Sequence, residues 1–349
     1  MLERVRLTDP EVVTSNEPEN TVQSRARIEA LINSAFKREV IRKAVDVILP
    51  LNDIGDGPPF YCFHSIVGVA TEYKHLVRML GPKQKFYCIQ VPSDRRSAEF
   101  AGSIEEMSRY YVDELLKFQP DGSFLLGGYS IGATIALEVS QQLIARGREV
   151  SLLVVFDGEL FNTGAEISVR NPVYWLKLLL NVPRWIVDEA VRNRSEFAHQ
   201  TAIRVKYFNF RKKNFPKPHP VERFIDLLGF FPEHSAFIRA LFDSHQAYVP
   251  YSYPGRVLVF VAKTQALWRL RQVKAAWTKI APSSKVFEIN GTRGSIMKMP
   301  HGAAVAERLS TEIEKIAEQF GTAHMRCPKH RFDLTARRLR KESLSSSRQ

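Results

Sequence analysis

A serine flanked by glycines is the first place where this sequence could do chemistry. The pentapeptide Gly128-Tyr129-Ser130-Ile131-Gly132 has G-x-S-x-G spacing, follows the apolar run 124–127 and precedes a helical pattern over 133–146. In such a strand–turn–helix the serine stands above a sheet, small glycines avoid clashes, and the helix N-terminus favours negative charge. The bare pattern also recurs by chance, so a structural turn is the alternative. The context favours a nucleophile elbow at Ser130.

A nucleophilic serine needs an acid to orient its base and donors for an oxyanion. Asp157 directly follows the apolar run 152–156, so it is predicted at the same sheet edge as the serine; a turn before Gly158 is its other interpretation. The backbone N–H of Ile131 is one expected oxyanion donor. The second is predicted at Ile66, in the loop 63–68, which could also be an ordinary connection.

Alternating elements must position these residues. Short apolar runs predict strands, helical periods lie between them, and the connections are short, which predicts an α/β sheet of parallel strands. The predicted strands are 60–63, 86–91, 124–127, 152–156, 256–261 and 285–289. A helical block over 162–250 interrupts the alternation, and a last helix is predicted from about 303 to 320.

The domain organisation follows from these patterns. Length allows two domains or one large domain with appendages. We predict a helical or linker extension over 1–49, with helical periodicity running through Ile48, and a main domain over 50–320. The tail 321–349 holds eight basic and two acidic residues and is predicted to be disordered.

Composition excludes several classes of protein. Apolar residues make up 44% and charged residues 25%, which excludes collagen, coiled coil and disorder over most of the length. Three scattered cysteines exclude a disulfide scaffold and give no C-x-x-C metal pair, so no metal and a reducing cytoplasm are predicted. The longest apolar stretch, 175–187, is shorter than the ~20 residues that span a bilayer.

The net charge of +13 is concentrated in the second half of the chain. Its densest part lies over 204–217, with aromatic residues interleaved and no acidic residue. Such a cluster could bind an acidic protein, an anionic membrane or nucleic acid, or it could be a solvated helix face. No nucleic-acid motif accompanies it, so nucleic acid is the weakest of these.

At this point four stretches resemble one family, the thioesterase domains of non-ribosomal peptide and polyketide synthetases. They are Pro59 to His64 leading to Gly68 and Tyr73, Gly127 to Gly132 with Ala136-Leu137-Glu138, Phe156-Asp157, and Pro254 to Val257. The resemblance covers about 50–320. It implies an α/β-hydrolase fold of mostly parallel strands with helices on both faces, in which the block 162–250 is a lid over the acyl chain.

The resemblance also implies the chemistry. The substrate would be a thioester on a 4'-phosphopantetheine arm, with no bound cofactor. Ser130 would be the nucleophile, Asp157 the acid that orients the base, and Ile131 and Ile66 the oxyanion donors. No carrier-type serine motif occurs in 1–50, so an acidic acyl or peptidyl carrier protein, or a synthetase, is expected in trans.

The chain departs from the family at the base. The family carries its catalytic histidine in a G-x-H segment after the last strand, and here Arg293 stands at that position. The arginine side chain stays protonated far above neutral pH, so it cannot accept the serine proton near neutrality. His301, eight residues later, is a possible substitute base. Arg293 is expected within reach of Ser130 and near the carboxylate of Asp157.

Two functions from different classes remain open. The first is a thioesterase that releases acyl chains and that loss of the histidine would impair. The second is a non-catalytic acyl- or carrier-binding protein that keeps the fold. Arg293 is the feature that separates them.

Overall fold

Seven strands and eight α-helices make up the described part of the chain. This computed structural model describes residues 46–69, 71–163, 170–188, 194–213, 218–227, 230–265 and 270–320. The strands are β1 (Ile48–Asn52), β2 (Phe60–Phe63), β3 (Phe86–Ile89), β4 (Phe124–Tyr129), β5 (Val150–Phe156), β6 (Val257–Thr264) and β7 (Lys285–Thr292). The helices are α1 (Lys74–Leu80), α2 (Ile104–Phe118), α3 (Gly132–Ala145), α4 (Pro172–Trp185), α5 (Arg194–Lys213), α6 (Pro232–Ala247), α7 (Val273–Ile280) and α8 (His301–Phe320).

The strands form one sheet in the order β1-β3-β2-β4-β5-β6-β7. β2 to β7 run parallel, and β1 pairs antiparallel with β3 at the edge. β4, the strand that precedes Ser130, lies in the centre, between β2 and β5. The carboxyl ends of β2, β4, β5, β6 and β7 therefore meet at one rim, where an open α/β sheet places its ligands.

Both faces of the sheet are buried, which explains why the strands appear in the sequence as continuous apolar runs. Alternate residues of β2 enter different cores. Tyr61 packs with α2 and α3 on one face, and Phe60 packs with α1 and α8 on the other. Cys62 lies beside Cys88 in the register of β2 and β3; both are free thiols, and burial raises their pKa well above the ordinary value.

Helices are inserted between β5 and β6, as the sequence predicts. Within the described residues the insertion holds α4, α5 and α6. α4 leaves much apolar surface in solvent, with Trp175 57% and Leu179 67% exposed. Its buried Asn181 exchanges hydrogen bonds with the backbone of Gln265, at 2.7 and 2.9 Å, and so ties this helix to the chain just after β6.

The edge strand β1 differs from the sequence-based expectation. Ile48, predicted as the end of a helical pattern, begins this strand, and the sheet starts two residues before the predicted boundary at residue 50. The described residues belong to one compact unit that begins at Ala44. A helical period is predicted over 22–47; its residues up to 45, and the tail 321–349 predicted to be disordered, lie outside the described residues.

In the part of the chain that the structure describes, each helix is either too short or too polar to cross a bilayer.

Tyr73 joins the two strands that carry the predicted oxyanion loop and nucleophile. Its hydroxyl donates to the Phe63 carbonyl at the end of β2 (2.6 Å) and accepts from the Tyr129 N–H at the end of β4 (2.8 Å). The side chain is fully buried. This single hydroxyl thus links the ends of β2 and β4.

Replacement of Tyr73 by phenylalanine should therefore destabilise the fold. Two buried backbone groups lose their partner, which costs about 1–3 kcal/mol for an unsatisfied group. Urea unfolding at neutral pH measures the change. Tyr251→Phe, at a site that is 75% exposed, is the control and should leave stability within error. Equal stability of the two variants would contradict a structural role for the Tyr73 hydroxyl.

Candidate active site

Ser130 occupies the turn between β4 and α3 with a backbone φ of +62°, in the left-handed region. The flanking glycines are required by close backbone approach. A Cβ at Gly128 would lie 2.0 Å from the Gly132 carbonyl oxygen, and one at Gly132 would lie 2.5 Å from the Phe63 carbonyl oxygen. The Ser130 N–H donates to the Phe156 carbonyl at 3.1 Å, which holds the turn against β5. The strand–turn–helix context predicted for Ser130 is thus present. A non-glycine residue keeps a positive φ only where its surroundings enforce it, and here the packed turn does so.

The two predicted oxyanion donors lie on facing connections. Ile131 follows Ser130 at the start of α3, and Ile66 lies in the loop after β2. Within the described residues, neither of these backbone N–H groups donates to a protein acceptor. The loop is held by a Ser65 hydroxyl bond to Glu72 and by a Gly68 N–H bond to the Ser65 carbonyl at 3.0 Å.

Asp157 lies at the end of β5, fully buried, with a φ of +50°. One carboxylate oxygen accepts from the Ala262 N–H at 2.9 Å, and the other forms an ion pair with Arg271 at 2.5 Å. The Arg271 side chain is itself only 9% exposed. Its burial lowers the guanidinium pKa, but the charges of Asp157 and Glu159 outweigh burial and raise the pKa above its ordinary value.

Arg293 reaches the serine and not the aspartate. Its Nη2 donates to the Ser130 Oγ, its guanidinium lies 5.8 Å from the centre of the Tyr129 ring, and its carbonyl accepts from the Tyr129 hydroxyl at 3.1 Å. The expected approach to Ser130 is therefore present. The expected pairing with Asp157 is replaced by the Arg271 pair, because Arg271 approaches that carboxylate from the segment after β6.

His301 begins α8 beside the end of β7. A Cβ at Gly291 would lie 2.6 Å from its ring, and the histidine lines a cleft with Asp188 and Thr264. Within the described residues no hydrogen bond or ion pair links His301 to Ser130. Its role as a substitute base stays a prediction.

Two functional positions were missed by the sequence analysis. Arg271 is one of them. The sequence indicates it only as a basic residue seven positions after the end of β6. Tyr73 is the other; it was noted only as part of a family-like stretch, and its link between β2 and β4 requires the fold. No group of three or more metal-ligating side chains occurs in the described ranges.

His64 lies next to the oxyanion loop, yet both ring nitrogens are engaged. Nδ1 lies 2.6 Å from the Ser65 carbonyl oxygen and Nε2 lies 2.7 Å from the Tyr111 hydroxyl. Burial lowers the pKa of His64 from 6.5 to about 4, so the ring is neutral at pH 7. Its contacts assign His64 to the support of the loop.

The comparisons with known proteins agree with this geometry. Residues 58–166 match the thioesterase domain family model. Over this segment the chain resembles that family. The predicted family resemblance is confirmed there, and the segment includes the elbow, the oxyanion loop and Asp157.

Multidomain synthetases are among the relatives of this thioesterase segment. The chain is 32% identical over 151 residues to malpibaldin synthetase of Mortierella alpina, covering 39% of this chain and 3% of that protein. It is 34% identical over 128 residues to enterobactin synthase component F of Escherichia coli K12, covering 37% of this chain and 10% of that protein. The chain therefore spans a small fraction of the length of these curated relatives.

A solved structure agrees with the α/β-hydrolase fold. The four-domain nonribosomal peptide synthetase holo-AB3403, bound to AMP and glycine, superposes with a TM-score of 0.51 at 24% identity. The match covers 76% of this chain and 20% of that one. The predicted fold class, a mostly parallel sheet with helices on both faces, is confirmed.

The buried state of His64 leads to a pH-dependent stability. Between pH 6.5 and about 4 the unfolded chain binds a proton at this residue that the folded chain does not, so stability falls as the pH is lowered. The shift corresponds to about 3 kcal/mol over the window. His64→Gln should show a flatter dependence of unfolding free energy on pH, with a residual slope from His234, whose pKa burial also lowers to about 4.

Urea unfolding at several pH values between 4.5 and 7 measures these slopes. His75→Gln, at an exposed position of α1, should keep the wild-type slope. A His64→Gln slope equal to that of wild type would show that His64 titrates normally in the folded protein.

Proposed function

We propose that this chain acts on acyl chains presented as thioesters on a 4'-phosphopantetheine arm, with Ser130 as the nucleophile and slow release. One observation carries the proposal: Ser130 is held at an elbow φ of +62° while its hydroxyl contacts a guanidinium instead of a base. The family match of 58–166 supports the acyl substrate. The helices between β5 and β6 would cover the acyl chain as a lid.

The elbow supplies part of the required reaction. Ser130 Oγ attacks the thioester carbonyl, the N–H groups of Ile131 and Ile66 stabilise the oxyanion, and the C–S bond breaks to release the thiol. The proton of the hydroxyl must pass to a base, and Arg293 cannot take it because the guanidinium is already protonated. Asp157 is engaged by Arg271 and would orient a base only if one entered the site. Acylation and hydrolysis then proceed with water as the proton acceptor, which is slow.

The same contact favours a second function. A protein that only binds the acyl group or its carrier needs the cleft and the donors but no base. The Arg293–Ser130 hydrogen bond favours this non-catalytic function, because it occupies the hydroxyl that would react.

Arg293 is the residue whose replacement separates these functions. Arg293→His should raise thioesterase turnover by restoring general-base help, which is worth about 10²–10⁴-fold. We expect the lower part of that range, because Arg271 competes for Asp157. Hydrolysis of an octanoyl-pantetheine thioester, followed by thiol release, is the measurement. Arg293→Ala removes the cation without adding a base and should not match the histidine variant, and Ser130→Ala should abolish turnover in each background.

His301 tests the alternative origin of a base. If His301 serves as the base, His301→Ala destroys a substantial wild-type rate and Arg293→His adds little. Turnover that survives Ser130→Ala would refute the hydrolase function altogether. Octanoyl-pantetheine binding without turnover in both wild type and Arg293→His would favour the binding protein.

The carrier is proposed to be an acidic protein acting in trans, in the cytoplasm. The excess of basic residues in the second half of the chain supports an acidic partner. The side chains of the cluster over 204–217 lie largely outside the described residues, so this step rests on the sequence.

Charge reversal tests the carrier proposal. Lys212→Glu with Lys213→Glu should weaken binding to an acidic acyl carrier protein, and the difference should fade as salt screens the charges. Surface plasmon resonance at low and at 0.5 M salt would measure it, with Lys279→Glu on α7 as the control. Carrier binding that is unchanged at low salt would favour a solvated helix face.

A further inference from the structure

Two arginines and one aspartate lie near Ser130, and Arg293 is the arginine that brings its positive charge to the serine. Asp157 and Arg271 neutralise each other as a buried ion pair. Arg293 stands beside them, and no ion pair joins its guanidinium to a carboxylate of the described residues. Tyr129, the ring next to it, is partly buried, and this loss of solvent raises the pKa of its hydroxyl, so Tyr129 stays neutral. A guanidinium that no carboxylate of the described residues neutralises can bind an anionic ligand.

The donors at this point suit one anion in particular. A guanidinium presents a planar fork of N–H groups that pairs with both oxygens of a carboxylate. Arg293 uses one N–H on Ser130, which leaves further donors for a ligand. The Ile131 N–H, directly after the serine, is also without a protein acceptor among the described residues. A thioester carbonyl is neutral and gains less from this charge than an ionised acid does.

We propose that the site binds the carboxylate of a free acyl chain, held by Arg293 beside the Ser130 hydroxyl. This inference rests on the proposed acyl site. The carboxyl carbon occupies the place where a thioester carbonyl would be attacked, and the acyl tail takes the same path. The chain thus holds the free acid more tightly than the thioester, which distinguishes it from a site built to let the acid leave.

Binding, measured without any turnover, tests this inference. Isothermal titration of the full chain with octanoate is compared with titration by octanamide, a neutral analogue of similar shape. Wild type should bind octanoate at least about tenfold more tightly than octanamide, since a charge-assisted hydrogen bond exceeds a neutral one. Arg293→Gln should remove that difference by weakening octanoate about 10- to 100-fold and leaving octanamide unchanged.

Two further variants control for charge and folding. Arg256→Gln removes a surface guanidinium that bonds Gln319, and it should bind octanoate as wild type does. Arg293→Lys keeps the charge without the planar fork and should give an intermediate loss. Circular dichroism and the melting temperature establish that each variant is folded, and the lysine variant keeps the test decisive if Arg293→Gln does not fold.

The outcomes separate this inference from the proposed function. Equal binding of octanoate and octanamide, absence of octanoate binding, or octanoate affinity unchanged by both Arg293 variants would overturn the inference. Inorganic phosphate binding as tightly as octanoate, with the same dependence on Arg293, would show a general anion site and overturn it as well. Octanoyl-pantetheine is titrated into Ser130→Ala in parallel. If the thioester binds and octanoate does not, only the inference fails; if neither binds, the proposed function fails too.

Discussion

The ion pair between Asp157 and Arg271 determines what the rest of the site can do. A buried carboxylate is costly unless a cation and hydrogen bonds compensate it, and here both partners are almost fully removed from solvent. Arg271 and the Ala262 N–H provide that compensation from the segment that begins at β6. The pair joins the end of β5 to the chain after β6 at the level of Ser130. It also leaves Arg293 free of Asp157, so the guanidinium faces the serine.

Backbone packing sets the conformation of the turn at Ser130, so this conformation does not depend on which residue stands at position 293. Gly128 and Gly132 let β4, α3 and the end of β2 approach within contact distance, and Ser130 takes the left-handed conformation that remains. None of these contacts involves Arg293 or His301. A change of the residue at position 293 can therefore leave the backbone conformation of Ser130 as it is.

The central strands were predictable because both faces of the sheet are covered. β2 to β6 are buried on two sides and appear in the sequence as apolar runs between turn signals. The edge strand β1 gave no such signal. It is half-exposed, contains Pro50 and pairs with a strand on one side only, so its apolar residues merge with the preceding helical period. Exposure at an edge removes the pattern that identifies a strand.

The site divides in the same way. The sequence alone predicted that Ser130, Asp157 and Arg293 follow strands whose ends share one rim, because parallel strands end at the same edge of a sheet. It also established that position 293 holds an arginine, a group that cannot accept a proton near neutral pH. Only the tertiary structure decided which arginine pairs with Asp157. Arg271 and Arg293 follow neighbouring strands, and the choice between them depends on side-chain distances of a few ångströms, which spacing along the chain does not encode.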